Sequence, residues 1–381
     1  MPRVSSQPVL PLDGLKIENP SFLSEQLVTY IGNKRALLEP IRGAVHQVCE
    51  RYDRPLRVLD AFSGSGVVSR MLKAHASHIV TNDLEPYARV LSDCYLSNRE
   101  DVPWDRVNRC VDQFNEIVDG AASTGGFIET LYAPKDDDNI QLGERVFYTR
   151  DNARRLDHYA QLVHESDDDI RDFLLGPLLS AASVHANTAG VFKGFYKDRE
   201  SGIGMFGGAG ADALSRIKGR IRLRTPIVSE FRSDFEVHQR NANHLVQELE
   251  PVDLAYFDPP YNQHPYGSNY FMLNLLVNYA EPQEISSVSG IPTNWQRSEY
   301  NVKKKSAALM RELVAKTAAR FLLISFNDEG YIAPDVMVGM LEEVGRVTEY
   351  KTAYNTFRGS RNLGDRSTHV TEHLYLVEKQ V

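Results

Sequence analysis

The chain has 381 residues, 42% of them hydrophobic, and a formal net charge of −8. That length suits one large or two ordinary domains, and the composition is that of a globular protein. Apolar runs are too short to cross a membrane, no basic-then-apolar leader opens the chain, and Cys49, Cys94 and Cys110 form neither a disulfide framework nor a C-x-x-C pair. A cytoplasmic location is therefore expected. The lack of H-E-x-x-H or Cys/His clusters predicts no metal. The mild acidic excess does not advertise nucleic-acid binding, but phosphate contact is local, so charge must be read by segment.

Residues 1–20 are Pro-rich and weakly patterned, which predicts an N-terminal arm. Tyr30-Ile31-Gly32-Asn33-Lys34-Arg35 follows, with Asn33 placed to cap a helix whose apolar face is Leu38, Ile41, Val45 and Val48. Arg57-Val58-Leu59 reads as a strand entering Asp60-Ala61-Phe62-Ser63-Gly64-Ser65-Gly66, and Val67 to Ala74 as the next helix. Glycines let a backbone approach a ligand and take positive φ, although a purely structural turn has the same look. The turn is not the dinucleotide G-x-G-x-x-G, and no Walker lysine follows. His78 to Asn82 reads as a second strand ending at Asp83. An acid about 20 residues past a glycine turn suits ribose hydroxyls; the alternative is a helix cap. Tyr87, Val90, Leu91, Cys94 and Tyr95 recur at helical spacing and read as core.

From about residue 99 to 232 the strand–helix alternation lapses. Asp136-Asp137-Asp138 and Asp167-Asp168-Asp169 read as solvated surface, and Gly202 to Gly210 as a mobile glycine-rich loop. Arg216, Lys218, Arg220, Arg222 and Arg224 form a basic run without an acid. As a helix it would turn Leu214, Ile217 and Ile221 inward; as a strand it would put its basic residues on one face. Lys193, Lys197 and Arg199 lie nearby among Phe192, Phe195, Tyr196 and Phe206. Basic residues interleaved with aromatics fit a DNA-facing surface, and a solvated face fits any one of them as well.

Strand pattern returns at Phe235 to Arg240, followed by Asn241-Ala242-Asn243. Leu254-Ala255-Tyr256-Phe257 then reads as a buried strand that ends in Asp258-Pro259-Pro260-Tyr261. A carboxylate can accept a hydrogen bond from an exocyclic amine. The prolines stiffen the backbone and remove N–H donors, leaving a carbonyl for a second bond. The Tyr261 ring offers a flat face to a base lifted from its stack. Asn262 to Phe271 is polar and aromatic and predicts a loop folded over the site; His264 within it reads equally as surface or function. Phe321 to Phe326 is a further strand, Met337, Met340, Leu341 and Val344 mark a helix, and Val347–Tyr354 with Thr371–Val377 predict an antiparallel pair. Between them Asn355 to Asn362 is a basic loop, carrying Arg358 and Arg361, that could grip phosphate or seat a flipped base.

The glycine turn and DPPY together resemble the amino-methyltransferases that use S-adenosylmethionine (SAM), and DPPY in particular resembles the D12 class of DNA adenine-N6 methyltransferases. The order of motifs, with Tyr30–Lys34 first and an insertion before DPPY, is similar to the α group. The resemblance implies an α/β fold, a mostly parallel SAM-methyltransferase sheet with a reversed C-terminal strand. It implies a catalytic domain of residues 21–98 and 235–381 and an inserted target-recognition domain of residues 99–234. By resemblance Asp258, Pro259, Pro260 and Tyr261 are catalytic. Tyr30, Lys34, Asp60, Phe62, Gly64, Gly66, Asp83, Asn241 and Asp258 bind SAM, with Lys34 near its carboxylate. Asn241 stands where the family often has an aspartate, and it can still accept through its carbonyl oxygen. Arg216, Lys218, Arg220, Arg222, Arg224, Arg358 and Arg361 are the expected DNA contacts. The implied partners are double-stranded DNA, with no membrane, and a cognate restriction endonuclease acting separately where the enzyme serves a restriction–modification system; the alternative is an orphan methylase. Rival readings are an N4-cytosine enzyme, which more often has Ser at the place of Asp258, an enzyme acting on RNA or protein glutamine, and a non-catalytic nucleic-acid-binding relic.

Overall fold

In the computed structural model, which describes residues 17–120, 125–208, 210, 213–355 and 369–380, the apolar runs become strands of one sheet. They are β1 (Leu56–Asp60), β2 (Ala76–Asn82), β3 (Asp234–His238), β4 (Val252–Phe257), β5 (Ala319–Asn327), β6 (Gly345–Asn355) and β7 (His369–Lys379). Their order is β3-β2-β1-β4-β5-β7-β6. Neighbours from β3 to β5 pair parallel, and β7 runs antiparallel to both β5 and β6. The reversed strand thus lies one place inside the edge, which β6 occupies. Every residue of β4 is buried. Both faces of the sheet are covered, which is why this strand ends in the continuous apolar run Leu254–Phe257.

Successive side chains alternate between two cores. On one face Val58, Leu254, Tyr256, Phe321 and Leu323 pack with Ile41, Val45 and Val48 of the Leu38–Cys49 helix and with the Val67–Leu72 helix. On the other, Leu59, Phe257, Leu322 and Ile324 meet Met310 and Leu313 of the Lys303–Lys316 helix and Met337 and Met340 of the Pro334–Glu342 helix. Strand order reverses between β1 and β4, so a crevice opens at their C-terminal ends. Asp60 ends β1, Asp83 follows β2 and Asp258 follows β4.

The insertion is mainly helical. Trp104–Gly120, Arg150–Glu165 and Asp168–His185 are its long helices, and they share one core with Pro86–Leu96 and Phe271–Asn278. Gly176 lies where the Asp168–His185 helix meets Pro86–Leu96: a Cβ there would lie 2.9 Å from the Cys94 Sγ, so any side chain would force a shift at this contact. Residue 99 therefore marks a change in topology and not a change of hydrophobic core.

The basic run divides. Leu214–Lys218 is a short helix with Ile217 buried; beyond Gly219 the chain is extended, with Ile221 and Leu223 buried and Arg220, Arg222 and Arg224 exposed. Each reading of its period holds for half of it. Upstream, the chain is pinned by hydrogen bonds from Asp198 to Ile203 and from Met205 to Tyr196, so the start of the glycine-rich stretch is a paired turn. Asn262 to Phe271 is shorter as a loop than expected: Tyr266–Asn269 is helical, and Gly267 to Phe271 are buried. Arg358 and Arg361 lie outside the described residues.

Candidate active site

The turn after β1 is shaped by its glycines. Gly64 has φ +50° and Gly66 φ +73°, values an L side chain reaches only under strain. Gly66 N donates to Ser63 O at 2.7 Å and starts the Val67–Leu72 helix. Gly64 N donates to Asp83 Oδ2 at 2.8 Å, and Glu85 N donates to Asp83 Oδ1 at 3.0 Å. Asp83 is thus both a turn brace and a cavity acid, and each oxygen retains acceptor capacity. Asn82 ties the neighbouring strand ends together, donating to Ala61 O at 3.1 Å and Arg240 O at 3.0 Å.

An open cavity of about 890 Å³ fills the crevice. Its lining brings together Tyr30, Lys34, Asp60, Phe62, Gly64, Asp83, Asn241 and Asp258 from the expected set, with Pro260 at its edge. Gly66 does not line it and acts one step back, by shaping the turn. Asp60 is buried; its Oδ2 accepts from Ser69 Oγ at 2.5 Å, and its Oδ1 has no partner. Burial pushes its carboxyl up to about 7, partly offset by Ser69. Asn241 caps the Ala242–Leu245 turn, its Oδ1 accepting from Asn243 N at 2.9 Å and His244 N at 3.3 Å. The carbonyl oxygen expected to meet a ligand is therefore already shared with backbone donors. Phe62 and Tyr300 meet edge to face at 5.4 Å on the apolar side.

A second, smaller cavity of about 220 Å³ adjoins it, lined by Pro260, Tyr261, His264, Tyr266, Asn269 and their neighbours. Tyr261 packs edge-on against Phe326 at 5.9 Å. Tyr30 stacks on Tyr266 at 5.1 Å and on Tyr270 at 4.7 Å, and shares a hydroxyl hydrogen bond of 3.1 Å with Tyr87. This aromatic wall fixes the N-terminal segment against the Pro86–Leu96 helix and the Tyr266–Tyr270 turn.

Lys34 lines the larger cavity and is also engaged by two carboxylates. Its Nζ lies 2.9 Å from Asp258 Oδ1 and 3.1 Å from Glu372 Oε1, in an almost fully buried position. Burial opposes its charge, but Asp258 and Glu372 outweigh burial and hold its pKa well above the usual lysine value. Asp258 is pushed up to about 6 by burial, with Lys34 pulling it down and Glu372 pushing it up. Sequence reading missed Glu372. Its signal was an acid within the alternating apolar strand Thr371 to Val377.

The basic run lies apart from both cavities. Arg222 pairs with Asp119 at 2.9 Å and Arg220 with the same carboxylate at 3.6 Å. Arg216 donates to the carbonyls of Val184 and Ala186, closing the C-terminal end of the Asp168–His185 helix. Among the described residues no group of His, Cys, Asp and Glu side chains is arranged to hold a metal ion, and no helix is long and apolar enough to cross a membrane.

Residues 30–325 match the model of the family described as D12 class N6 adenine-specific DNA methyltransferase. The chain belongs to that family. It is similar along nearly its whole length to the type II methyltransferase M.NlaIII of Neisseria lactamica, 25% identical over 366 residues that cover 92% of this chain and 99% of the relative. The type II methyltransferase M.CviAII of Paramecium bursaria Chlorella virus 1 is 25% identical over 359 residues, covering 92% and 98%. The type II methyltransferase M.FokI of Planomicrobium okeanokoites is 22% identical over 366 residues; there the match covers 92% of this chain and 53% of the relative. This D12-class chain is thus a DNA methyltransferase, with the mostly parallel, one-strand-reversed sheet expected of it.

Proposed function

We propose that the protein transfers a methyl group from SAM to the N6 amine of an adenine flipped out of duplex DNA, at one recognition sequence, as the modification enzyme of a restriction–modification system. The observation that carries this reading is the position of Asp258. It leaves the central strand β4 and borders the same cavity as the Gly64–Asp83 unit and the unpartnered Asp60 oxygen. The fit to SAM rests on that donor set: a buried, unpaired Asp60 oxygen suits an ammonium, Asp83 suits ribose hydroxyls, and the Phe62–Tyr300 side suits an adenine ring. When bound, SAM supplies an electrophilic methyl on a sulfonium.

The adenine amine is a poor nucleophile because its lone pair is delocalised into the ring. The Asp258 carboxylate and the Pro259 carbonyl accept its two hydrogens and favour a tetrahedral nitrogen, which stabilises the positive charge that grows during attack. Tyr261, beside the smaller cavity, stacks on the extruded base. With SAM in the larger cavity and the base in the smaller, amine and methyl would come within reach of each other, a reading supported by the shared lining residues Pro260 and Tyr266. Target recognition belongs to the inserted residues 99–234, with exposed Arg220, Arg222 and Arg224 as phosphate contacts. A protein acting on cellular DNA in this way works in the cytoplasm.

The test is to incubate the protein with labelled SAM and duplex DNA and digest the product to nucleosides. N6-methyladenine is expected. N4-methylcytosine, or label in RNA or protein alone, would overturn the substrate assignment. Asp258→Ala should abolish turnover with SAM affinity largely kept, since the lost acceptor matters only once the amine becomes positive.

A further inference from the structure

Glu372 reaches the site because β7 runs backwards between β5 and β6. Its register opposite Asn327 carries an acid of the reversed strand to the C-terminal end of the parallel strands. There Ser325 Oγ donates to Glu372 Oε1 at 2.6 Å, and Lys34 Nζ approaches the same oxygen at 3.1 Å. The Lys34 ammonium also reaches the Gly32 carbonyl at 3.4 Å. Lys34, Ser325 and Glu372 are each at most 3% exposed, so water does little to screen these contacts. Glu372 Oε2 is buried and has no partner. Leaving a carboxylate oxygen buried and unpaired is costly, which argues that the acid is kept for its effect on Lys34.

We propose that Glu372 is a positioning residue for methyl transfer, acting through Lys34 to set how strongly the ammonium engages Asp258. With both carboxylates present the ammonium is shared. It tethers Oδ1 of Asp258 and leaves the other oxygen for the target amine. Without Glu372 it would collapse onto Asp258 and draw off the electron density that the amine needs. Proton balance follows the same geometry. The groups that face Asp258 are Lys34 from the N-terminal segment, Asp60 at the end of β1, Asp83 after β2, Tyr256 on β4, Tyr261 and Tyr266 beyond it, and Glu372 on β7. Glu372 opposes the Lys34 effect on Asp258 in this set.

The proposal rests on reading Asp258 as the acceptor of the target amine, and its test separates the two. Turnover is measured per SAM-binding molecule across a pH series for wild type, Glu372→Gln and Lys34→Met. Glu372→Gln should lower kcat by about tenfold or more while SAM affinity stays within about threefold. Its acid limb should move to lower pH, because a charge that raises the Asp258 pKa is gone; in Lys34→Met the limb should move to higher pH. If kcat or the acid limb of Glu372→Gln matches wild type, the positioning role is overturned, because a purely structural acid would change stability and not the profile. Should Glu372→Gln fail to fold, Ser325→Ala keeps every charge and frees Glu372 to take more of the ammonium. Its acid limb should then move to higher pH, and an unmoved limb again overturns the proposal. A wild type that methylates no adenine fails the functional reading instead.

Discussion

The backbone N–H of Gly64 donates to the carboxylate of Asp83 across 2.8 Å, so the turn after β1 and the acid after β2 form one unit. An acid that holds the turn and also faces the cavity should matter doubly. Asp83→Ala is expected to weaken SAM binding by roughly 1.5–3 kcal/mol, the scale of a hydrogen bond to a charged group. Calorimetric titration measures it, and unchanged affinity would remove Asp83 from the site.

The two glycines of that turn should behave differently. A Cβ on Gly64 would lie 2.9 Å from the Tyr30 hydroxyl oxygen. Tyr30 cannot yield, because Tyr266 and Tyr270 stack on it and Tyr87 holds its hydroxyl. Around Gly66 there is nothing within 4 Å. Gly64→Ala should therefore lower both SAM affinity and melting temperature. Gly66→Ala should cost only backbone strain, on the order of 1 kcal/mol of stability. Equal loss of SAM affinity in both variants would contradict this division.

Asp60 should make the ligand-free protein less stable at neutral pH. Its folded pKa is raised to about 7, against about 4 in an unfolded chain. The folded state therefore holds a proton across that window that the unfolded chain has released. The contribution is fully present below the lower value and is lost as pH rises through the upper one. Asp60→Asn removes the slope. Urea unfolding at pH 5 and pH 8 should show the variant gaining on wild type by on the order of a few kcal/mol as pH rises, while SAM binding weakens. A constant difference at the two pH values would reject the assignment.

The basic run should separate by function along its length. Arg216 closes a helix end, so Arg216→Ala should lower stability by about 1 kcal/mol with little change in the salt dependence of DNA binding. Arg222→Ala with Arg224→Ala should weaken binding to specific and scrambled duplexes alike. It should also flatten the log–log salt slope by about 0.9 per lost contact. If affinity and slope both hold, the run is a solvated surface and the Arg358–Arg361 segment is the next to test.

Much of the candidate site was legible because the motifs whose residues line its cavity are local in sequence. A strand followed by a glycine turn, an acid after the next strand, and DPPY after a buried strand each lie within a few residues. Chain direction alone brings such strand ends to one side of a parallel sheet. The helix at Leu38–Cys49 was legible for the same reason, since its apolar period is written in consecutive residues. The Asn262–Phe271 stretch was legible in part: Asn262, His264, Tyr266 and Asn269 border the cavities, but its tyrosines and asparagines resembled a loop throughout. Tertiary packing buries Asn269 and Tyr270 in the shared core instead.

What the sequence determined by itself was the sheet, the order of its motifs and the family chemistry they carry, because period and spacing are short-range properties. What only the tertiary structure decided was who partners whom. Lys34 and Glu372 are 338 residues apart in the chain and share a buried ion pair. Arg216 and Arg222 look alike in one basic run, yet one closes a helix and the other stands exposed beside Asp119. A charge gains its role from the few ångströms around it and from the water removed there, and both are set by contacts between distant parts of the chain.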